Sequence, residues 1–332
     1  MTLKRHMMSL GLAVAVSMGA TAAKAADELT VAYFLEWPTP NQFAQAKEIY
    51  EKELGVKINW RSFDAGTAMS AAMASGDVQI SFSQGIPPFV VATSARQDLQ
   101  VVDVAVAYSE NDNCVVRASL EIDKMNAKEL NGKQVAVPLG TAAHYGFLKQ
   151  MDHFGVDTST MKIVDMAPPD GAAAFANGSL DMVCGWGGAL RRMKEHGNVL
   201  LTGAEKEALG IQVFDATTVS TGWAKVNADL LSKFLKVTAD MNAQYAGGGM
   251  NDMMPVIAKA AGMDIDATKA TLAGFVFPTI EEQLSDKWLG GGTQKFLKEV
   301  ADFFVKQGTI DKARPSYEGA VDASYLKAAS KM

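Results

Sequence analysis

The chain has 332 residues, of which 31 are Lys or Arg and 37 are Asp or Glu, and its formal net charge is −6. An acidic chain without basic clusters is a poor match for nucleic acid or for an anionic membrane surface, which disfavours both as partners. The length is about twice that of a typical domain and predicts two lobes.

Residues 1–25 are predicted to be a signal peptide. Lys4 and Arg5 precede a short apolar run, and "AKA" at residues 23–25 fits a small-residue cleavage site. Removal of this segment leaves 28 basic against 37 acidic residues, a net charge of about −9. We therefore expect a soluble protein exported to the periplasm, with a mature chain beginning near Ala26.

Strands and helices alternate along the first third of the chain. "ELTVAYF" (residues 28–34) alternates like a strand, and Pro40 suits the first position of a helix. A helical period then runs to Gly55, a predicted stop, and a strand follows over residues 56–63. A second helix over residues 67–75 leads into the apolar strand "VQISFS". This alternation predicts an α/β fold with largely parallel sheets.

A near-repeat indicates two similar halves. "AAMASGDVQISFS" (residues 71–83) is echoed by "AAFANGSLDMVCGW" (residues 173–186). Each copy reads as a small-residue helix, a Gly suited to a left-handed cap, and an apolar strand that runs into a loop. Because ligands of open α/β sheets gather beyond the carboxyl ends of strands, two such halves predict a binding cleft between them.

Cys114 and Cys184 are the two cysteines of the chain. An oxidising compartment permits a disulfide between them, but free buried thiols fit the sequence equally well. Their spacing matches no zinc motif, and no metal site is predicted.

The stretch "VPLGTAAHYGFL" (residues 137–148) passes from an apolar strand into a helix at Thr141. One interpretation is an ordinary N-cap followed by two packing side chains, His144 and Tyr145. The other is an anion site, because free N–H groups and the dipole of a helix start attract anions and both side chains can add donors. The stretch alone leaves both open.

Four segments together resemble the taurine- and aliphatic-sulfonate-binding proteins of bacterial ABC importers. They are "FDAGTAMSAAMASGDVQI", "VPLGTAAHYGFL", "LDMVCGWGGAL" and "FDATTVSTGWAKVNADLLSKFL". The resemblance implies a type II periplasmic binding protein, in which two lobes of mixed, largely parallel sheets flanked by helices are joined by two crossover segments. It places residues 26–112 and 217–332 in lobe 1 and residues 113–216 in lobe 2.

The function implied by this resemblance is delivery of taurine, or of a closely related small aminosulfonate, to an inner-membrane ABC permease. We expect a monomer without a cofactor. Alternatives are another zwitterion or amine, such as hypotaurine, a quaternary amine or a thiamine precursor, and an enzyme on the same fold. Cys184, His144 and Asp215 are residue types of a nucleophilic triad, but Cys184 lies in an apolar strand without a nucleophile elbow, so no enzyme is predicted.

The ligand site is predicted from residue chemistry and the resemblance together. Asp215, in the apolar strand "VFDATTV", is costly to bury unless paired and is the first candidate for the ammonium. Trp186, between glycines at a strand end, suits a ligand wall. Further candidates are Glu36 for the ammonium, Thr141, His144, Tyr145, Gln84 and Gly85 for the sulfonate, and Asn113 or Asp112 at the first crossing.

The segments "SQGIPP" (residues 83–88) and "GWGG" (residues 185–188) depart from the family pattern. Both segments lie where the ligand is expected. They do not affect the predicted lobes, but they leave the identity of the ligand open among small zwitterions.

Overall fold

The structure, a computed structural model, describes residues 28–332. The predicted signal peptide lies outside the described residues. Between residues 28 and 332, no helix combines the length and the apolar character needed to cross a membrane.

Two mixed sheets are built from strands in the described part of the chain. These strands are β1 (Glu28–Tyr33), β2 (Lys57–Ser62), β3 (Ile80–Gly85), β4 (Leu99–Tyr108), β5 (Asp112–Arg117), β6 (Gln134–Val137), β7 (Lys162–Asp165), β8 (Met182–Trp186), β9 (Gly197–Val199), β10 (Val213–Ser220) and β11 (Phe275–Val276). The first sheet has the order β11-β4-β10-β3-β1-β2, and the second has the order β7-β6-β8-β5-β9. β1 and β6 pair in parallel with both neighbours, whereas β10 and β5 are antiparallel to theirs.

Helices cover the sheets and make up most of the last third of the chain. They are α1 (Asn41–Ala46), α2 (Ile49–Leu54), α3 (Gly66–Ala74), α4 (Ile86–Ser94), α5 (Ala142–Phe154), α6 (Pro168–Ala176), α7 (Gly187–Lys194), α8 (Gly203–Ala208), α9 (Thr221–Val226), α10 (Ala228–Gln244), α11 (Met250–Ala261), α12 (Ile265–Ala273), α13 (Ile280–Gln283), α14 (Gly292–Lys306) and α15 (Ser324–Ala329).

Local sequence signals account for most element boundaries. Gly55, Gly76 and Gly178 have φ of 71°, 83° and 82°, the left-handed conformation that ends the preceding helices. The helix predicted from Pro40 to Gly55 is in fact two helices, because Glu48 has φ of 53° and interrupts the helical backbone between α1 and α2. Pro40 precedes the first helical residue.

The two copies of the near-repeat occupy corresponding positions in the two sheets. The first copy forms α3 and β3, and α4 begins immediately after β3 at Ile86. The second copy forms α6 and β8, and α7 begins immediately after β8 at Gly187. In each sheet, therefore, the carboxyl end of an internal strand is followed directly by the start of a helix.

The chain passes from the first sheet to the second between β4 and β5 and returns before β10. The predicted boundary after residue 112 falls at the first residue of β5. The predicted boundary after residue 216 falls inside β10, a strand of the first sheet. If the sheets mark the lobes, the second crossing comes before Val213, because β10 is paired with β4 from that residue onward.

A disulfide joins the centre of the second sheet. Cys114 on β5 and Cys184 on β8 are directly opposite in the antiparallel register, and their sulfur atoms are bonded. The structure thus decides between the two possibilities left open by the sequence.

Candidate ligand-binding site

A narrow pocket lies between the two sheets. The ends of β3, β4 and β8 and the beginnings of the antiparallel strands β5 and β10 meet here, as expected for a ligand site of open α/β sheets. The pocket is lined by Phe34, Trp37, Gly66, Gly85, Pro88, Tyr108, Asp112, Thr141, Ala142, Trp186 and Asp215.

Asp215 brings a buried carboxylate to the pocket from β10. Its Oδ1 accepts a hydrogen bond from the Tyr108 hydroxyl and its Oδ2 accepts one from Ser83 Oγ, both at 2.7 Å. Burial raises the pKa of Asp215 to about 7, although these two hydrogen bonds lower it. Across residues 28–332 no Lys or Arg forms a salt bridge with this carboxylate, so a cation from outside the chain would stabilise its charged form.

Asp112 brings a second buried carboxylate from the start of β5. Its side chain is 3% exposed, and burial raises its pKa to about 7, against the opposing effect of Lys206. Lys206 donates to the backbone carbonyl of Asp112. The negative charge of Asp112 also contributes to the raised pKa of Asp215. The pocket therefore has a strong preference for positive charge on this side.

Aromatic rings form a second part of the wall. Trp37 donates from Nε1 to Ser83 Oγ at 3.0 Å and lies edge-on to Tyr108, with ring centroids 4.9 Å apart. Trp186 lies edge-on to Phe34 at 5.8 Å. Rings beside buried carboxylates suit an ammonium group, which can use both ion pairing and cation–π attraction.

The start of α5 faces the same pocket. Thr141 is its N-cap, with Oγ1 accepting from the His144 N–H at 3.4 Å and donating to the Pro138 carbonyl at 2.6 Å. Helix geometry leaves the N–H groups of Ala142 and Ala143 without intrahelical acceptors, so this end attracts an anion. The start of α4 also reaches the pocket, but its prolines at positions 87 and 88 remove two donors.

Comparison with known proteins agrees with this architecture. The family model described as NMT1/THI5 like matches residues 39–248. The chain belongs to this family.

Relatives and structural neighbours of the chain include sulfonate-binding proteins. The chain is 26% identical to the taurine-binding periplasmic protein of Escherichia coli (strain K12) over 304 residues, or 90% of this chain and 92% of that one. It superimposes on the alkanesulfonate-binding protein SsuA from Xanthomonas axonopodis pv. citri, bound to MOPS, with a TM-score of 0.74, 19% identity and coverage of 90% and 99%. These findings confirm the family resemblance and the two-sheet periplasmic binding protein fold.

The same fold also serves an enzyme. The desulfurization enzyme DSZB superimposes with a TM-score of 0.64 and 14% identity over 92% of this chain and 99% of that one. Fold alone therefore does not separate binding from catalysis. In this NMT1/THI5-like chain, however, Cys184 is bonded to Cys114 and has no thiol with which to act as a nucleophile.

His144 and Tyr145 do not line this pocket, and the role predicted for them as donors to the ligand stays a prediction. His144 turns back on its own loop, where Nδ1 accepts from the Gly140 N–H at 3.1 Å, and burial lowers its pKa to about 4. Tyr145 packs edge-on against Phe303 and Phe304 of α14, at 5.4 and 6.1 Å. Both are packing residues, because an amphipathic helix covers this face of α5.

Gln84 and Asn113, also predicted to contact the ligand, do not line this pocket. Gln84 is fully buried; its Nε2 donates to the Gly66 carbonyl and to Ser70 Oγ, and its Oε1 accepts from Thr218. Asn113 donates to the Leu201 carbonyl at 2.8 Å. Side chains alternate along β5, so Asp112 faces the pocket and Asn113 faces away. Both side-chain amides form hydrogen bonds within the protein.

Glu36 lies in a neighbouring cavity beyond Trp186 and is already paired. Its carboxylate accepts from both terminal nitrogens of Arg192, at 2.6 and 2.9 Å. Its backbone carbonyl accepts from the Gly188 N–H at 3.1 Å. A Cβ at Gly187 would lie 2.2 Å from that carbonyl, so a glycine is required for the approach. In this structure Glu36 therefore forms a contact between the segments that follow β1 and β8, and its predicted role as an ammonium ligand stays a prediction.

The remaining predicted residues, Gly85, Thr141, Trp186 and Asp215, line the pocket together. Sequence reasoning missed Phe34 and Tyr108 and gave Trp37 no preference. Each of them lies at or within a few residues of a strand end. An aromatic residue near the end of a strand was therefore the sequence feature that could have identified them as pocket residues.

Proposed function

We propose that this chain is the substrate-binding component of a periplasmic ABC importer and that its ligand is taurine or a closely related small aminosulfonate. The supporting observation is that one pocket is lined both by two buried carboxylates, Asp112 and Asp215, and by the first residues of α5. A zwitterion with an ammonium at one end and an acid group at the other matches that arrangement of charge. The likeness to a taurine-binding relative supports the choice of a sulfonate.

The acid end of the ligand would bind at the start of α5. A sulfonate has three acceptor oxygens, and the free N–H groups of Ala142 and Ala143 with the helix dipole contribute about 0.3–1 kcal/mol each, or more when partly buried. In the pocket described here no Lys or Arg lines the wall, so backbone dipoles provide the attraction for the anion.

The ammonium end would bind between Asp215 and the aromatic rings. Because the pocket is narrow and both carboxylates are within the same lining as the start of α5, it suits a ligand with few atoms between its two charges. Hypotaurine and other short zwitterions share these features and stay as alternatives. Release to a membrane permease, without chemical change, follows from the role of the binding component.

A thermal-shift screen followed by calorimetry tests the proposal. At a hundredfold excess over Kd, a ligand specific for the folded state adds about 2.7 kcal/mol of stability. We expect taurine to raise the Tm, to bind with 1:1 stoichiometry and to be recovered unchanged. A clear shift with an amine lacking an acid group, and none with any sulfonate, would overturn the proposal.

A further inference from the structure

Asp112 has a carboxylate oxygen without a partner. Its Oδ2 is buried and accepts no hydrogen bond from any of residues 28–332. The nearby Lys206 ammonium is bonded to the backbone carbonyl of Asp112 instead. The residue lines the pocket although this oxygen is buried, so a donor can reach it only from a molecule that occupies the pocket.

Other buried aspartates of the protein are better satisfied. Both oxygens of Asp215 accept a hydrogen bond, from Ser83 and Tyr108. Asp103, which lies on β4 outside the pocket, accepts from the Thr217 N–H at 3.1 Å. A buried carboxylate oxygen is expected to have a donor, and leaving it without one is costly. The missing donor at Asp112 therefore points to the ligand.

We propose that Asp112 is a second carboxylate that accepts a hydrogen bond from the ligand's ammonium, and that it thereby selects amines that carry N–H donors. This inference rests on the proposed function and extends it from a charge preference to a class of amine.

The chemistry of the two carboxylates explains the selection. A primary ammonium has three N–H donors, as a lysine side chain has, so it can reach Asp112 Oδ2 and still donate to Asp215. A quaternary ammonium has positive charge but no N–H, and it would leave Oδ2 without a donor. The site is therefore expected to prefer taurine over its N,N,N-trimethyl derivative.

The test compares parent, Asp112→Asn and the control Asp103→Asn by calorimetry at about pH 8, where ionised carboxylates predominate because the Asp112 and Asp215 pKa values are about 7. Each protein is titrated with taurine and with isethionate, which has a hydroxyl in place of the ammonium. Asp103 is as deeply buried as Asp112, so the control removes a similar carboxylate outside the pocket.

We expect Asp112→Asn to weaken taurine binding by about tenfold to a hundredfold, as for a lost hydrogen bond to a charged group, and to change isethionate binding by less than about threefold. Asp103→Asn is expected to leave the affinity ratio of taurine to isethionate unchanged. Parallel losses for both ligands in Asp112→Asn, or no loss for either, would overturn the proposal.

Two further readouts separate the possible failures. A parent protein that binds neither sulfonate rejects the proposed function itself. If Asp112→Asn does not fold, parent protein titrated with taurine and with N,N,N-trimethyltaurine still decides: we expect at least a tenfold preference for taurine. Equal affinities for the two would reject the role of Asp112.

Discussion

Asp112 and Asp215 face the pocket, while Glu36 faces the adjoining cavity. The carboxylates at these two sites differ in burial and in ion pairing. Glu36 is partly exposed and accepts two hydrogen bonds from Arg192. The pocket carboxylates, Asp112 and Asp215, are nearly inaccessible and form no salt bridge among residues 28–332. A carboxylate with its own cation contributes to structure, whereas a buried one that lines a pocket without a cation can be paired by a cationic ligand.

Burial is the physical difference between the two places. Desolvation raises the pKa of Asp112 and of Asp215 to about 7, because a charge in a dry site is disfavoured. A ligand ammonium would restore the missing partner, so ligand binding and ionisation are coupled. Five predictions test or sharpen this comparison, and those that concern taurine affinity follow in order of decreasing effect.

Asp215→Asn is expected to have the largest effect. The substitution keeps the shape and allows a hydrogen bond with Tyr108 but removes the charge, so taurine binding should lose about 1.5–3 kcal/mol. Calorimetry measures the affinity and thermal unfolding shows that the fold is retained. Asp103→Asn serves as the control for a buried carboxylate outside the pocket. Unchanged taurine affinity in Asp215→Asn would move the ammonium contact elsewhere.

Taurine affinity is expected to rise with pH between about 6 and 8. The empty pocket retains protons on carboxylates whose pKa values are raised to about 7, and an ammonium must displace them. Each pH unit below 7 should therefore weaken binding by up to about tenfold for each carboxylate that must lose its proton. Calorimetry across this range measures the slope, and Asp215→Asn should flatten it. A slope of the opposite sign would contradict the assignment.

The free energy of unfolding of the ligand-free protein depends on the same two carboxylates. It should fall as the pH rises, whereas taurine affinity should increase. A folded-state pKa raised above its unfolded value of 3.8 means that the stabilising contribution is complete below about pH 4 and is lost as the pH rises through 7. Lys206 and Tyr108 are the charged or titratable groups that face the pair from α8 and β4. Taurine should offset this loss most strongly at the upper end of the range.

Glu36→Gln is expected to have a small effect. Its ion pair with Arg192 is partly exposed, with 29% and 40% of the two side chains accessible, so it contributes at most about 1 kcal/mol to the association of the two sheets. We expect taurine affinity to fall no more than about fivefold, and less at high salt. Arg192→Gln is the matched variant, and the double variant should show non-additivity. A loss as large as that of Asp215→Asn would return Glu36 to the ammonium site.

His144→Phe is expected to leave taurine affinity within about twofold of the parent. The substitution removes the hydrogen bond from the Gly140 N–H, so it should cost about 0.5–1.5 kcal/mol of stability and lower the Tm. Calorimetry and thermal unfolding measure the two quantities separately. Weakened binding at an unchanged Tm would show that His144 reaches the ligand after all.

The sequence by itself determined the elements and the family. Apolar patterns located β1, β2, β3 and β8 but not β4, and glycines at positions 55, 76 and 178 marked helix ends because their left-handed backbone is a local property. The near-repeat predicted two similar sheet edges, and the lone Asp215 in an apolar strand stood out because of its burial cost. Each of these signals depends on residues only a few positions apart.

Only the tertiary structure decided which side chains meet. Glu36 and Arg192 are separated by 156 positions, and Cys114 pairs with Cys184 because the register of β5 and β8 places them opposite each other. α14 covers the face of α5 that carries Tyr145, which turns a candidate donor into a packing residue. One step along β5 directs Asp112, and not Asn113, into the pocket. Such outcomes depend on sheet register and helix packing between distant segments, which local sequence patterns do not specify.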